Sequence, residues 1–151
     1  MNTQVRYVTV TISILKNIII FFVLYCFGIT VSCAQEVDKK NKYIHPIIES
    51  DSVFQSSILF QEYVVVDFWA IWCKPCQLFL TEYAEIAKKC HKKAAFYKLN
   101  VDSCTNTAQK YDAKMIPLII IFKNGKEVKR YAGLTAKERI IFDLEEIIKS
   151  E

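Results

Sequence analysis

Residues 63–68 are β-branched and aromatic apart from one acid, Asp67, and the run leads straight to Cys73-Lys74-Pro75-Cys76. An apolar run that short suits a strand covered on both faces. Beyond it Phe79, Tyr83, Ile86, Ala87 and Cys90 recur at three- and four-residue spacing. One face of a long helix is therefore buried, and the helix starts at the two cysteines. A buried strand feeding an amphipathic helix belongs to a layered α/β architecture.

The remaining pattern fills in the layers. Residues 44–48 are expected to be a short edge strand, with Pro46 suited to an edge. Ser52 and Gln55 resemble a capping box opening a helix to about Phe60. Residues 95–101 are expected to form another central strand and residues 105–111 a helix. Residues 118–123 and 127–132 flank Asn124-Gly125, a strong hairpin signal. Thr135 and Glu138 suggest a second capping box, followed by a helix whose apolar stripe is Ile140, Ile141, Leu144, Ile147 and Ile148. The order is β-α-β-α-β-α-β-β-α, which predicts a mixed central β-sheet flanked by helices on both faces. No internal repeat is present.

A length of 151 residues suits one domain, and 52% hydrophobic content is enough for a core. The net charge of +4 is spread among alternating acids and bases, which reads as a solvated surface and not a nucleic-acid footprint. Of six cysteines, Cys26 and Cys33 lie in an N-terminal apolar stretch, Cys73 and Cys76 form one C-x-x-C, and Cys90 and Cys104 stand alone. A second C-x-x-C and a paired-histidine motif are both missing, so a structural zinc site lacks its ligands and no metal is expected.

Residues 1–34 read as an address. Arg6 and Lys16 precede any acid, residues 18–31 are almost wholly apolar, and Ser32 and Ala34 occupy the two positions a signal peptidase reads. The apolar run is shorter than the roughly twenty residues of a membrane span. Three fates fit: cleavage before Gln35, lipidation at Cys33 in a lipobox-like Val31-Ser32-Cys33, or retention as an anchor with the domain outside the cytoplasm. All three export the domain to an extracytoplasmic, periplasmic setting, and contact with membrane is expected only through residues 1–34. Residues 35–42 are polar and read as a linker.

The position of the C-x-x-C gives it chemistry. At a helix N-terminus the unpaired N–H groups and the helix dipole favour an anion, so the first thiol ionises readily. A thiolate is the species that attacks a disulfide. Pro75 is tolerated in the first turn, where its missing N–H is not needed, and it stiffens the loop. Cys73, at the exposed tip, is expected to attack, and Cys76, inside the first turn, to resolve.

Several blocks together resemble the thioredoxin family: residues 66–76 its active-site block, residues 98–102 a strand segment, Met115-Ile116-Pro117 its cis-proline loop, residues 122–126 its hairpin, and Gly133 a glycine after the last strand. The resemblance covers about residues 43–150, so the domain is placed at 43–151. It implies a thioredoxin-like fold and a redox disulfide between Cys73 and Cys76. Asp67 would be the buried carboxylate serving Cys76 through water, its pKa raised by burial. Lys98 would be its charge partner. Trp72, Lys74, Pro75, Ile116 and Pro117 would meet substrate, with Pro117 cis and the Ile116 backbone pairing an extended chain. Trp69 is assigned to the core.

Three positions depart from the family pattern. Lys74 replaces a small residue, and its charge should favour the thiolate and make the pair more oxidising. Leu118 stands where a polar residue is common, which predicts a more apolar groove. Thr81 stands where many members have a helix-kinking proline. The implied activity is protein-disulfide reduction by dithiol–disulfide exchange, with an oxidase or isomerase, and a non-catalytic binding or chaperone module, as alternatives. No cofactor is expected. The implied partners are proteins with disulfides or thiols and an upstream electron donor, and the chain is expected to be a monomer. Cys90 and Cys104 read as ordinary residues, a regulatory role for Cys104 depending on exposure.

Overall fold

The computed structural model describes residues 42–150. Its elements are α1 (Asp51–Ile58), β1 (Tyr63–Trp69), α2 (Lys74–Cys90), β2 (Ala95–Asn100), α3 (Thr105–Lys110), β3 (Leu118–Lys123), β4 (Lys126–Ala132) and α4 (Lys137–Lys149). The readings of residues 1–34, and of the linker through residue 41, lie outside the described residues.

The four strands lie in the order β2-β1-β3-β4. β1 runs parallel to β2 and antiparallel to β3, and β4 returns antiparallel to β3. Alternation along β1 divides the core. Tyr63 and Val65 pack with Phe79, Tyr83 and Ile86 of α2 and Ile140 and Leu144 of α4. Val64, Val66 and Phe68 face the other way, onto Phe54 and Ile58 of α1. Covered on both faces, β1 has no solvent side, which is why its sequence is apolar at consecutive positions.

Tyr83 ties the α2 layer to the sheet. Its buried hydroxyl lies 2.7 Å from the Tyr97 carbonyl and 3.1 Å from that of Val65, linking α2 to β2 and β1 at one point. Asn124 and Gly125 both have positive φ (50° and 74°), as a tight two-residue hairpin turn requires. A Cβ on Gly125 would also meet Leu59 Cδ2 at 2.6 Å, so the tip is closed against the end of α1.

Three local expectations are corrected. The edge strand at residues 44–48 reduces to one parallel bridge, Ile48 to Leu99. The His45 N–H donates to the Phe96 carbonyl and the Ile48 N–H to that of Lys98. Those donors are three residues apart and their acceptors two, so the chain bulges around Pro46, which has no N–H to keep a regular ladder. Neither capping box forms: α1 is preceded by Ser50 and α4 by Ala136, and neither side chain caps its helix. Asp51 instead serves α3, accepting from the Thr107 N–H at 2.8 Å and Asn106 Nδ2 at 2.9 Å. The Thr107 and Asn106 hydrogen bonds hold its carboxyl below the ordinary range.

Tyr83→Phe keeps the ring's packing and removes only the buried hydroxyl. The expected cost is about 1–2 kcal/mol, seen as a lower urea midpoint with an unchanged slope. An unchanged midpoint would show that the hydroxyl does not link helix to sheet.

Candidate active site at the end of the first strand

The site forms where β1 ends and α2 begins. Cys73 occupies the N-cap of α2 in an extended conformation, and its Sγ accepts the Cys76 N–H at 3.1 Å. The Gln77 amide donates to the Ile71 carbonyl at 2.7 Å and closes the intervening turn. Cys73 and Cys76 are joined in a disulfide. Both are covered in this state, 4% and 1% exposed. Cys73 therefore does not stand at an open tip as expected from its position before the helix. Trp69, Val101 and Ile116 pack around the pair and cover it.

The Ile116–Pro117 peptide bond is cis. The Ile116 carbonyl oxygen lies 3.8 Å from Cys73 Sγ, and the Gly133 N–H donates to the Pro117 carbonyl at 2.8 Å. The loop before β3 is thus held between the disulfide and the end of β4. Lys74 and Pro75 are exposed on the first turn of α2.

Asp67 and Lys98 meet because of strand register. Asp67 shares the side of β1 used by Tyr63 and Val65, the side α2 covers, and its Cα partner across the parallel pair is Lys98. Lys98 Nζ lies 3.3 Å from Asp67 Oδ2, with Asp67 fully buried and Lys98 nearly so. The contact is one of charge: neither carboxylate oxygen has a hydrogen-bond partner among the described residues. Burial pushes the Asp67 carboxyl up to about 6, against the opposing pull of the Lys98 ammonium. That ammonium also sits 4.4 Å from the centre of the Trp69 ring, so one cation serves the acid and the aromatic face.

Trp72 is 65% exposed, and its Nε1 donates to Asp102 Oδ2 at 2.9 Å. Asp102 ends the 98–102 block of the family resemblance, but nothing in the sequence assigns it a role beside Trp72. Leu118 corrects another expectation. It is 2% exposed and packs with Phe68 on the α1 side of the sheet, so it does not line a groove. Exposed apolar side chains next in the chain to Cys73 and to the Ile116–Pro117 bond include Ile71, Trp72 and Met115, the thioether of Met115 lying near Gly133. Cys104 is fully buried, its thiol 3.5 Å from the Ile48 carbonyl, and burial raises its pKa, as it does for Cys90. A regulatory thiol needs exposure that Cys104 lacks. Among the described residues no group of three His, Cys, Asp or Glu converges to hold a metal ion.

A helix-capped cysteine pair beside a cis-proline loop can exchange two thiols for a disulfide with a second molecule. Comparison with known proteins agrees. Residues 45–146 match the family model described as Thioredoxin. The thioredoxin of Alicyclobacillus acidocaldarius is 35% identical over 100 residues, 66% of this chain and 95% of that relative. The M-type chloroplastic thioredoxin of Spinacia oleracea is 36% identical over 100 residues, and the chain spans 55% of that longer relative. A solved structure of Plasmodium falciparum thioredoxin superposes with a TM-score of 0.62 at 30% identity, covering 68% of this chain and 98% of that one. Fold, motif spacing and similarity run through the same residues: the chain belongs to the thioredoxin family.

Proposed function

We propose that the Cys73–Cys76 pair reduces protein disulfides outside the cytoplasm, with Cys73 attacking, Cys76 resolving and Asp67 taking the proton from Cys76. Family membership makes the chain a thiol–disulfide oxidoreductase of the protein-disulfide reductase type. The division of labour rests on one observation above the others: Cys73 Sγ accepts the Cys76 N–H at the start of α2. That donor and the helix dipole stabilise negative charge on Cys73 and make it the better nucleophile and leaving group of the pair.

In the reducing direction the Cys73 thiolate attacks one substrate sulfur, forming a mixed disulfide and releasing the other sulfur as a thiolate. Cys76 loses its proton to Asp67 and attacks Cys73 Sγ. The S–S bond to substrate breaks, the second substrate sulfur leaves and takes up a proton, and the chain is left oxidised. A dithiol donor must then return two electrons. An acid with a pKa of about 6 is suited to accept a proton near neutrality and give it back. Lys98 holds that acid in place by charge. Trp72, Lys74 and Pro75 on one side, and Ile116 and Pro117 on the other, border the disulfide and would receive the substrate chain, on a domain that works as a monomer.

The extracytoplasmic setting rests on residues 1–34, with their basic start, apolar run and small residues at 32 and 34. Cleavage, lipidation at Cys33 and a retained anchor lead to the same side of the membrane. Fusing residues 1–42 to alkaline phosphatase, which is active only after export, should give an active reporter. A silent fusion would overturn the assignment.

With dithiothreitol as donor, the chain should speed insulin disulfide reduction, and Cys73→Ser should lower the rate by at least about a hundredfold. Equal rates would remove Cys73 from the reaction. Asp67 gives a pH test. Its folded pKa, about 6, exceeds the ordinary value of 3.8, so the folded state binds the extra proton between these limits. The stability that Asp67 contributes is therefore greatest below pH 4 and falls as pH rises through 6. Relative to Asp67→Asn, the oxidised chain should lose on the order of 2–3 kcal/mol across that window. Parallel stability curves for the two proteins would show that Asp67 does not titrate there.

A further inference from the structure

The end of the sheet opposite the disulfide has a different chemistry. β1 begins there at Tyr63, paired with Lys123 at the end of β3. The turn from α2 into β2, carrying His91, Lys92 and Lys93, reaches the same end, as does the β3–β4 turn, where the Asn124 N–H donates to the Glu62 carbonyl. The end of α1 closes on that turn through Leu59. This end of the sheet therefore carries Lys42, Lys92, Lys93, Lys126 and Lys123, the last lying over the Tyr63 ring, together with two large exposed apolar side chains, Leu59 (66%) and Phe60 (61%). The acids at this end are Glu62, Glu127, which pairs with Arg130, and Glu145 and Glu146, which face Lys93 and Lys149 at 3.3 Å.

The described chain also enters here. Lys42 lies over the Tyr43 ring, Tyr43 packs on His91 with centroids 4.4 Å apart, and the His45 N–H bonds the Phe96 carbonyl. Only ten residues, 32–41, separate this point from the apolar run, a reach of at most about 35 Å. Those ten include Lys39 and Lys40.

We propose that this pole rests on an anionic lipid surface, Leu59 and Phe60 entering the headgroup layer and the lysines facing lipid phosphates, so that Cys73 and Cys76 point away from the membrane. Lysines beside apolar and aromatic side chains are the composition of an interfacial contact, and each lysine at such a surface strengthens binding on the order of fivefold. The inference rests on the chain staying membrane-bound, through retained residues 1–34 or a lipid on Cys33, because the short tether supplies the high local concentration that so small an apolar contact needs.

The full chain, reconstituted in phosphatidylcholine vesicles with and without phosphatidylglycerol, is treated with an amine-reactive label and read by peptide mass spectrometry. Normalised to Lys74 beside the disulfide, Lys92 and Lys126 should label at least about fivefold more slowly on the anionic vesicles. Salt at about 0.5 M should remove most of that protection, and Leu59→Ser with Phe60→Ser should weaken it. Equal labelling of Lys92 and Lys126 on both vesicles, with the chain bound to each, overturns this inference and leaves the membrane reading of residues 1–34 standing. A chain that joins neither vesicle overturns this inference and removes the anchored fates of residues 1–34, while export itself is decided by the phosphatase fusion.

Discussion

β1 is covered on both faces and paired on both edges, and most of the molecule follows from that. Six of its seven residues, Tyr63 to Phe68, are buried, so successive side chains need a helical layer on each side of the sheet. α2 and α4 supply one layer, and α1 with Cys104 and Tyr111 at either end of α3 the other. The strand's end must then pass from full burial to solvent within a few residues. The chain does so by turning into α2, whose first turn presents the cysteines at the boundary between core and water.

The same burial explains the chemistry of Asp67. An acid among Val and Phe has little water to ionise into, and the cation beside it, Lys98, belongs to the neighbouring strand. Parallel pairing sets Lys98 beside Asp67 as part of the sheet register, and Trp69, two residues further along β1, accepts the same ammonium on its ring. Moving β2 by one residue would turn Lys98 to the α1 side and leave the carboxylate without its counter-charge. The proton affinity of the site is thus set by strand pairing as much as by residue type.

Strands and helices with strong periodicity were legible in the sequence: the β1 run, the α2 stripe, the Asn124-Gly125 turn and the stripe of α4 all recur in the structure within a residue or two. What escaped were features decided by tertiary neighbours. Ser52 and Thr135 have capping chemistry at almost the right place, yet the helices start elsewhere, and the cap that forms, Asp51 on α3, joins residues far apart in the chain. Leu118 was read as lining a groove, whereas alternation along β3 turns it into the core. Near the disulfide, the pairing of Asp67 with Lys98 came from resemblance and the Trp72–Asp102 bond from neither source, since contacts of that range are set by how strands align.

The burial of Cys90 and Cys104 has a consequence of its own. Each thiol is sealed in the core and pushed away from the thiolate by desolvation. Within the described residues, thiol exchange is thereby left to the pair at the start of α2, through Cys73, the least covered of the four described cysteines. With Cys76 removed, Cys73 would be left as a single addressable atom on a folded surface. A partner caught there would be held at a known position, with no competing thiol of the folded domain to scramble the linkage.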